Sequence, residues 1–115
     1  MKVHEISLAE EILRMIEESS VSEGFKQVKS LTLDIGQLAG VDPEALSFAL
    51  THMAPGSLID GAIIHLDELP GSGYCSSCTK RVAIDFRLAP CPHCGHQPLS
   101  TIEGTELRVR HLEVN

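Results

Sequence analysis

The four cysteines of this chain fall into two matched pairs, Cys75-Ser-Ser-Cys78 and Cys91-Pro-His-Cys94, with twelve residues between the pairs. In a C-x-x-C turn, two thiolates project from one tight loop while backbone N–H groups point at the sulfurs. Two such turns facing each other supply the tetrahedral S4 cage that Zn2+ prefers. The spacing leaves room for a short strand out, a turn and a strand back. Gly95, directly after the second pair, suits a left-handed backbone that glycine adopts at little cost. The segment 70–103 therefore reads as a zinc ribbon. Four protein ligands leave no open position for water or substrate, so the metal is expected to be structural. Such sites contribute about 10–16 kcal/mol of binding, much of it folding free energy. The same ligands would also hold iron in a rubredoxin-like electron carrier. Disulfides are disfavoured, because nothing in the sequence suggests secretion.

Charge narrows the function classes. The 115 residues carry a formal charge of −7, which argues against phosphate-rich partners. A nucleic-acid-binding ribbon would need basic and aromatic residues around the knuckles, where Lys80, Arg81 and Arg87 are too few. An acidic chain suits a protein partner with a basic face, or the handling of cations. The start, Met1-Lys-Val-His-Glu-Ile, has no long apolar run, so neither a signal peptide nor a membrane span is expected. Four reduced cysteines on a metal point to the cytoplasm. No nucleophile–base pair, phosphate-binding glycine loop or open zinc site is visible, so the chain is not expected to be an enzyme. The core must be aliphatic, since the chain has no Trp, one Tyr and three Phe.

Ser7-Leu-Ala-Glu10 has the form of a capping box. Behind it, Leu8, Ile12, Met15 and Ile16 recur at helical spacing, predicting a helix from Leu8 to about Ser19, with Ile6 stapled onto its first turn. In Val28–Ile35, Leu31, Leu33 and Ile35 alternate with Ser30, Thr32 and Asp34, predicting a strand with one buried face that Gly36 closes. Asp42-Pro43-Glu44 opens a second helix: Asp as N-cap, Pro where no donor is missed, and an acid near the positive helix end. Leu46, Ala49, Leu50 and Met53 form its apolar stripe, and Pro55-Gly56 ends it. Ala62–Leu69 reads as a second strand, and Pro70-Gly-Ser-Gly73 as a hinge-like stretch leading into the ribbon. Within the ribbon, Val82, Ile84 and Phe86 alternate as a strand. Leu107–Val114 is a last long strand, its phase changing near Arg110 and His111.

Two strands alone make a marginal sheet, so the last strand must return to the first two across the ribbon. The expected fold is α+β: a three-stranded sheet covered by two helices, with an inserted four-cysteine zinc ribbon. The expected domains are residues 1–69 plus 104–115, and residues 70–103.

At full length the chain resembles the nickel chaperones of [NiFe]-hydrogenase maturation, the HypA/HybF family. The matching residues are His4-Glu5 before the first helix, Ile35-Gly36-Gln-Leu38, Val41-x-Pro-Glu44-x-Leu46-x-Phe48, and both C-x-x-C pairs with Cys91-Pro-x-Cys94-Gly95. Gly104-x-Glu106-Leu107 and Leu112-Glu113-Val114 complete the pattern. The resemblance implies a nickel-binding α+β domain and delivery of Ni(II) to the hydrogenase large subunit. It also implies a GTPase partner from the same maturation system, a monomer or homodimer, and in some bacteria service to urease.

The resemblance marks His4 and Glu5 as the nickel residues. Square-planar Ni(II) favours imidazole and deprotonated backbone amides that close small chelate rings. A His ahead of the first helix has such amides around it, and Glu5 adds a carboxylate, as ligand or as an acceptor orienting the imidazole. Lys2 and Val3 stand between Met1 and His4, where the family's His and Glu normally follow the initiator Met directly. Lys2 is too large for the usual removal of Met1, so the terminal amine is expected to be out of register for chelation with His4. His93 and His96 flank the second knuckle and could replace a thiolate or sense pH near the metal, though a solvated place beside it suits them better; His52, His65 and His111, on regular elements, read as bystanders.

Overall fold

The computed structural model describes residues 3–115. In chain order the elements are α1 (Val3–Glu23), β1 (Val28–Gly36), α2 (Pro43–Met53), β2 (Ile63–Leu69), β3 (Ser72–Cys75), β4 (Lys80–Ala83), β5 (Ser100–Glu103) and β6 (Leu107–Val114). They make an α+β fold with two three-stranded sheets, ordered β2-β1-β6 and β4-β3-β5. The chain divides into two compact units, one of residues 1–33, 41–67 and 108–115, the other of residues 34–40 and 68–107.

In the first sheet β1 is central. Val28 N donates to Leu58 O and Gln37 N to Leu69 O, so the partner advances with the strand and β1 runs parallel to β2. Asn115 N donates to Gln27 O and Gly36 N to Glu106 O, which makes β6 antiparallel to β1. A parallel pair needs a crossover, and α2 supplies it. The two helices pack on each other, burying Ala9, Ile12 and Ile16 of α1 and Leu46, Ala49 and Leu50 of α2.

Several sequence expectations change. The first helix does not begin after Ser7: it is already helical at Val3 and runs to Glu23, so Ser7 is an exposed mid-helix residue and Ile6 is no staple. The inward stripe is Glu5, Ala9, Ile12 and Ile16, spaced four, three and four, while Met15 is 51% exposed. The S-x-x-E pattern was overridden because the stripe continues upstream through Glu5, whose carboxylate finds a donor on another segment. Gly24, at φ +80 with its N–H on Ser20 O, closes the helix as expected of a left-handed cap. The face of the first strand expected to be solvated is buried from Thr32 to Asp34, as are Leu31, Leu33 and Ile35, and only Lys29 of the strand is exposed.

The second helix follows its sequence. Asp42 caps it, its carboxylate accepting from Glu44 N and Ala45 N at 3.0 and 3.3 Å, with Pro43 in the first turn.

In the second unit β3 pairs antiparallel with β4 (Cys75↔Lys80, Gly73↔Val82) and with β5 (Ser72↔Glu103, Tyr74↔Ser100). Of the stretch expected to be hinge-like, Ser72 and Gly73 instead open β3. Gly71 and Gly73 are buried, and a Cβ on Gly73 would come within 3.1 Å of Leu99 and Ile102. The strand expected through Phe86 stops at Ala83, leaving Phe86 58% exposed on a turn. The core of this unit consists of Leu38, Val82, Ile84 and Ala89 with Cys75 and Cys91, joined by Cys78, Leu99 and Ile102.

Candidate metal centre

The two C-x-x-C turns bring all four sulfurs together. Their Sγ atoms lie within 4.8 Å of one another, with Cys75–Cys94 at 3.7 Å and Cys78–Cys91 at 3.8 Å. A tetrahedral ion with bonds of about 2.3 Å has ligand–ligand edges of about 3.8 Å. The measured separations fit a four-thiolate metal site, and the cysteines are free thiols rather than disulfides.

Each turn aims donors at its sulfurs. Cys78 N–H points at Cys75 Sγ (3.3 Å) and His93 N–H at Cys91 Sγ (3.4 Å). Such contacts stabilise thiolate charge in the same way as any donor to an anion. Both turns exit through a left-handed residue. In the second it is Gly95, at φ +77 as the sequence suggested; in the first it is Thr79, at φ 54. Cys75 and Cys91 are buried, Cys78 is half-buried and Cys94 exposed.

The sulfurs differ in acidity. The Cys78 thiol is pushed up to about 12, first by hydrogen bonding with Cys94 and then by burial. Cys91 is drawn down to about 6; burial opposes this, but the amides of His93 and Cys94 and the neighbouring thiols outweigh it. Near neutral pH, Cys91 is therefore ready to ligate while Cys78 still carries a proton. Metal uptake must displace that proton, so affinity is expected to rise with pH. It should fall more steeply below about pH 6, where Cys91 also becomes protonated. Competition titrations of the metal-free protein at several pH values should show this, and a flat profile would contradict the assignment.

The histidines beside the cluster do not join it. Among the described residues, the only grouping able to hold a metal is the four cysteines. His96 Nε2 lies 3.2 Å from Ser76 Oγ, and His93 is exposed. Elsewhere, His52 stacks on Phe48, and His65 and His111 are exposed.

The two residues marked for nickel are placed differently from the sequence expectation. His4 is not ahead of the helix but in the first described turn of α1, and it is exposed. Glu5 is 2% exposed, its Oε2 accepting the Asp42 N–H at 3.2 Å. Consecutive helical residues do not face each other, so the folded helix does not bring the two side chains together. The expectation concerning Met1 and Lys2 lies outside the described residues. The contact between Glu5 and Asp42 was not visible in the sequence, where Asp42 showed only its capping role. Leu38 in the core of the cysteine unit was likewise missed; its only trace was the Ile35-Gly36-Gln-Leu38 motif.

Comparison with known proteins agrees with this architecture. Residues 3–114 match the family model described as "Hydrogenase/urease nickel incorporation, metallochaperone, hypA". A hydrogenase maturation factor HypA from Azotobacter vinelandii is 43% identical over 112 residues, covering 97% of this chain and 99% of that protein. One from Paracoccus denitrificans is 41% identical over 112 residues, again covering 97% and 99%. The solution structure of the Ni metallochaperone HypA from Helicobacter pylori superposes with a TM-score of 0.67 at 19% identity, over 96% of each chain, so the fold is shared. With the family match spanning nearly every residue and relatives above 40% identity over the same span, this chain belongs to the HypA family, nickel-incorporation metallochaperones rather than enzymes.

Proposed function

We propose that this chain carries Ni(II) to the large subunit of [NiFe]-hydrogenase during its maturation. In this reading it works in the cytoplasm with the GTPase of that system, and a structural Zn2+ sits in the four-thiolate cluster. The observation that carries the reading is the family match over residues 3–114. The sulfur edges of 3.7 and 3.8 Å support a tetrahedral ion. Zinc with four thiolates supplies structure and no reactive position. The nickel-binding domain is residues 1–69 plus 104–115, and the zinc ribbon is residues 70–103.

The nickel residues are His4 and Glu5. His4 stands exposed in the first described turn of α1. The opening N–H groups of any helix have no intrahelical acceptor. Amides around His4 therefore stay available to a metal even though the residue is helical. An imidazole with neighbouring deprotonated amides is a donor set that suits square-planar Ni(II). Glu5 reaches the same ion only if this turn unwinds.

Calorimetric titration of the zinc-loaded protein with Ni(II) tests the assignment. His4→Ala is expected to weaken nickel binding more than about 100-fold, beyond what the loss of an outer-sphere partner costs, while zinc content stays unchanged. Equal nickel affinity in His4→Ala and wild type would move the nickel site elsewhere.

A further inference from the structure

The four sulfurs of the metal centre are not equally reachable. Cys75 is fully buried and Cys91 nearly so, while Cys78 is half-buried and Cys94 lies on the surface. The approach to Cys94 is open: a Cβ on the adjoining Gly95 would meet nothing within 4 Å. A metal-bound thiol is deprotonated outright, so a loaded centre presents Cys94 to solvent as a thiolate. The backbone donors favour the buried sulfurs instead. Cys78 N–H points at Cys75 Sγ and His93 N–H at Cys91 Sγ, and a thiolate whose charge is drawn to an N–H attacks less readily. Exposure and nucleophilic character therefore coincide on Cys94.

A second thiol stands ready to complete the chemistry. Cys94 Sγ lies 3.7 Å from Cys75 Sγ, and Cys78 Sγ lies 3.8 Å from Cys91 Sγ. Both approaches cross from one turn to the other, between residues 19 and 13 positions apart. Each sets a reachable sulfur against a buried one. A disulfide needs a separation of about 2.05 Å, a closure within reach of side-chain rotation.

We infer that Cys94 is a modification site for hydroperoxides and that Cys75 resolves the product. The Cys94 thiolate attacks one oxygen of hydrogen peroxide. An S–O bond forms, the O–O bond breaks, and the departing hydroxide takes up a proton to leave as water. The Cys75 thiolate then attacks the Cys94 sulfur. An S–S bond forms, the S–O bond breaks, and the second oxygen also leaves as water. The two sulfurs together lose the two electrons that reduce the peroxide. Only Cys78 and Cys91 then remain as ligands, too few to hold the ion, and a second peroxide joins them in the same way. The new bonds run between the two turns that the ion held together. Oxidation thus exchanges one crosslink for another and leaves the unit folded. This rests on the structural-zinc reading given above and adds a reaction to it.

Hydrogen peroxide added to the reduced, zinc-loaded full chain tests the inference, with freed metal read by a chromogenic chelator. About one zinc per chain should be released, and dithiothreitol should restore its uptake, since disulfides are reversible. Dimedone present during the reaction should label Cys94, and non-reducing peptide mapping should recover Cys75 joined to Cys94. Hydrogen exchange gives the readout that simple damage would not. Residues 72–83 should stay protected in the oxidised protein, yet exchange about tenfold faster or more in reduced protein stripped by a chelator. Zinc retained at peroxide levels that oxidise free glutathione would overturn the inference. So would disulfides confined to Cys75–Cys78 and Cys91–Cys94, dimedone on Cys75 or Cys91 in place of Cys94, or an oxidised protein that exchanges as fast as the stripped one. A purified chain that binds no zinc would remove the zinc reading, and this reaction with it.

Discussion

Replacing Cys75 or Cys91 with Ala is expected to strip the bound metal and unfold the unit of residues 34–40 and 68–107. The reason lies in how little else holds that unit. Its core comprises nine residues, three of them cysteines, which leaves Leu38, Val82, Ile84, Ala89, Leu99 and Ile102 as the apolar remainder. A core of that size does not sustain an independent fold without a metal or another crosslink. The exposed ion pair of Arg81 with Glu103 joins side chains that are 62% and 48% exposed, and surface pairs of this kind contribute little. Purified wild-type protein should contain about one zinc per chain and be colourless. A red, iron-loaded protein would point to an electron carrier instead. In the variants, metal analysis should fall to zero and ribbon amides should lose protection, while helix signals from α1 and α2 persist. Full zinc occupancy in a Cys91→Ala, Cys94→Ala double variant would rule out the four-thiolate site.

The second large effect is expected from a single methyl group. A Cβ placed on Gly36 would lie 2.1 Å from Gly104 O and 2.3 Å from its carbonyl carbon. Both contacts are to backbone, which cannot rotate away as a side chain would. Gly104 is itself constrained, at φ +86, with Pro70 O 2.5 Å from where its own Cβ would be. Two strand ends therefore cross where only glycine fits. Gly36→Ala is expected to cost about 3 kcal/mol, the upper range for overpacking. Gly40→Ala separates space from strain: Gly40 has φ +73 but nothing within 4 Å, so only the left-handed penalty of about 1–2 kcal/mol applies. Denaturant midpoints at constant m-value provide the comparison. If the two variants are equally stable, the close approach at Gly36 is not what fixes that residue.

These cases show where sequence reasoning succeeded. The cysteine spacing, the Asp42-Pro43 cap and Gly95 after the second pair each depend on chemistry written into adjacent residues. They read correctly because a knuckle, a cap or a left-handed exit is a local demand. The readings that changed all depend on distant segments. Ser7 and Glu10 form a good capping pattern, but the start of α1 is decided by Glu5, whose donor comes from Asp42. Thr32 and Asp34 look like an exposed face by their polarity, yet β1 is the central strand and both are buried. Gly73 looks like a hinge until Leu99 and Ile102 are seen packed over it. The residues marked for nickel, His4 and Glu5, were reached through family resemblance, and their placement inside a helix could not be read from a His-Glu pair alone.

The order of the strands also dictates a timetable for synthesis. β1 is central and needs β6, the last strand made, to fill its second edge. The fourth cysteine, Cys94, emerges before any residue of β6. On a ribosome adding about 5–20 residues per second, all four thiols are present while the β2-β1-β6 sheet still has only two of its strands. Metal capture by the cysteines can thus begin before that sheet is complete.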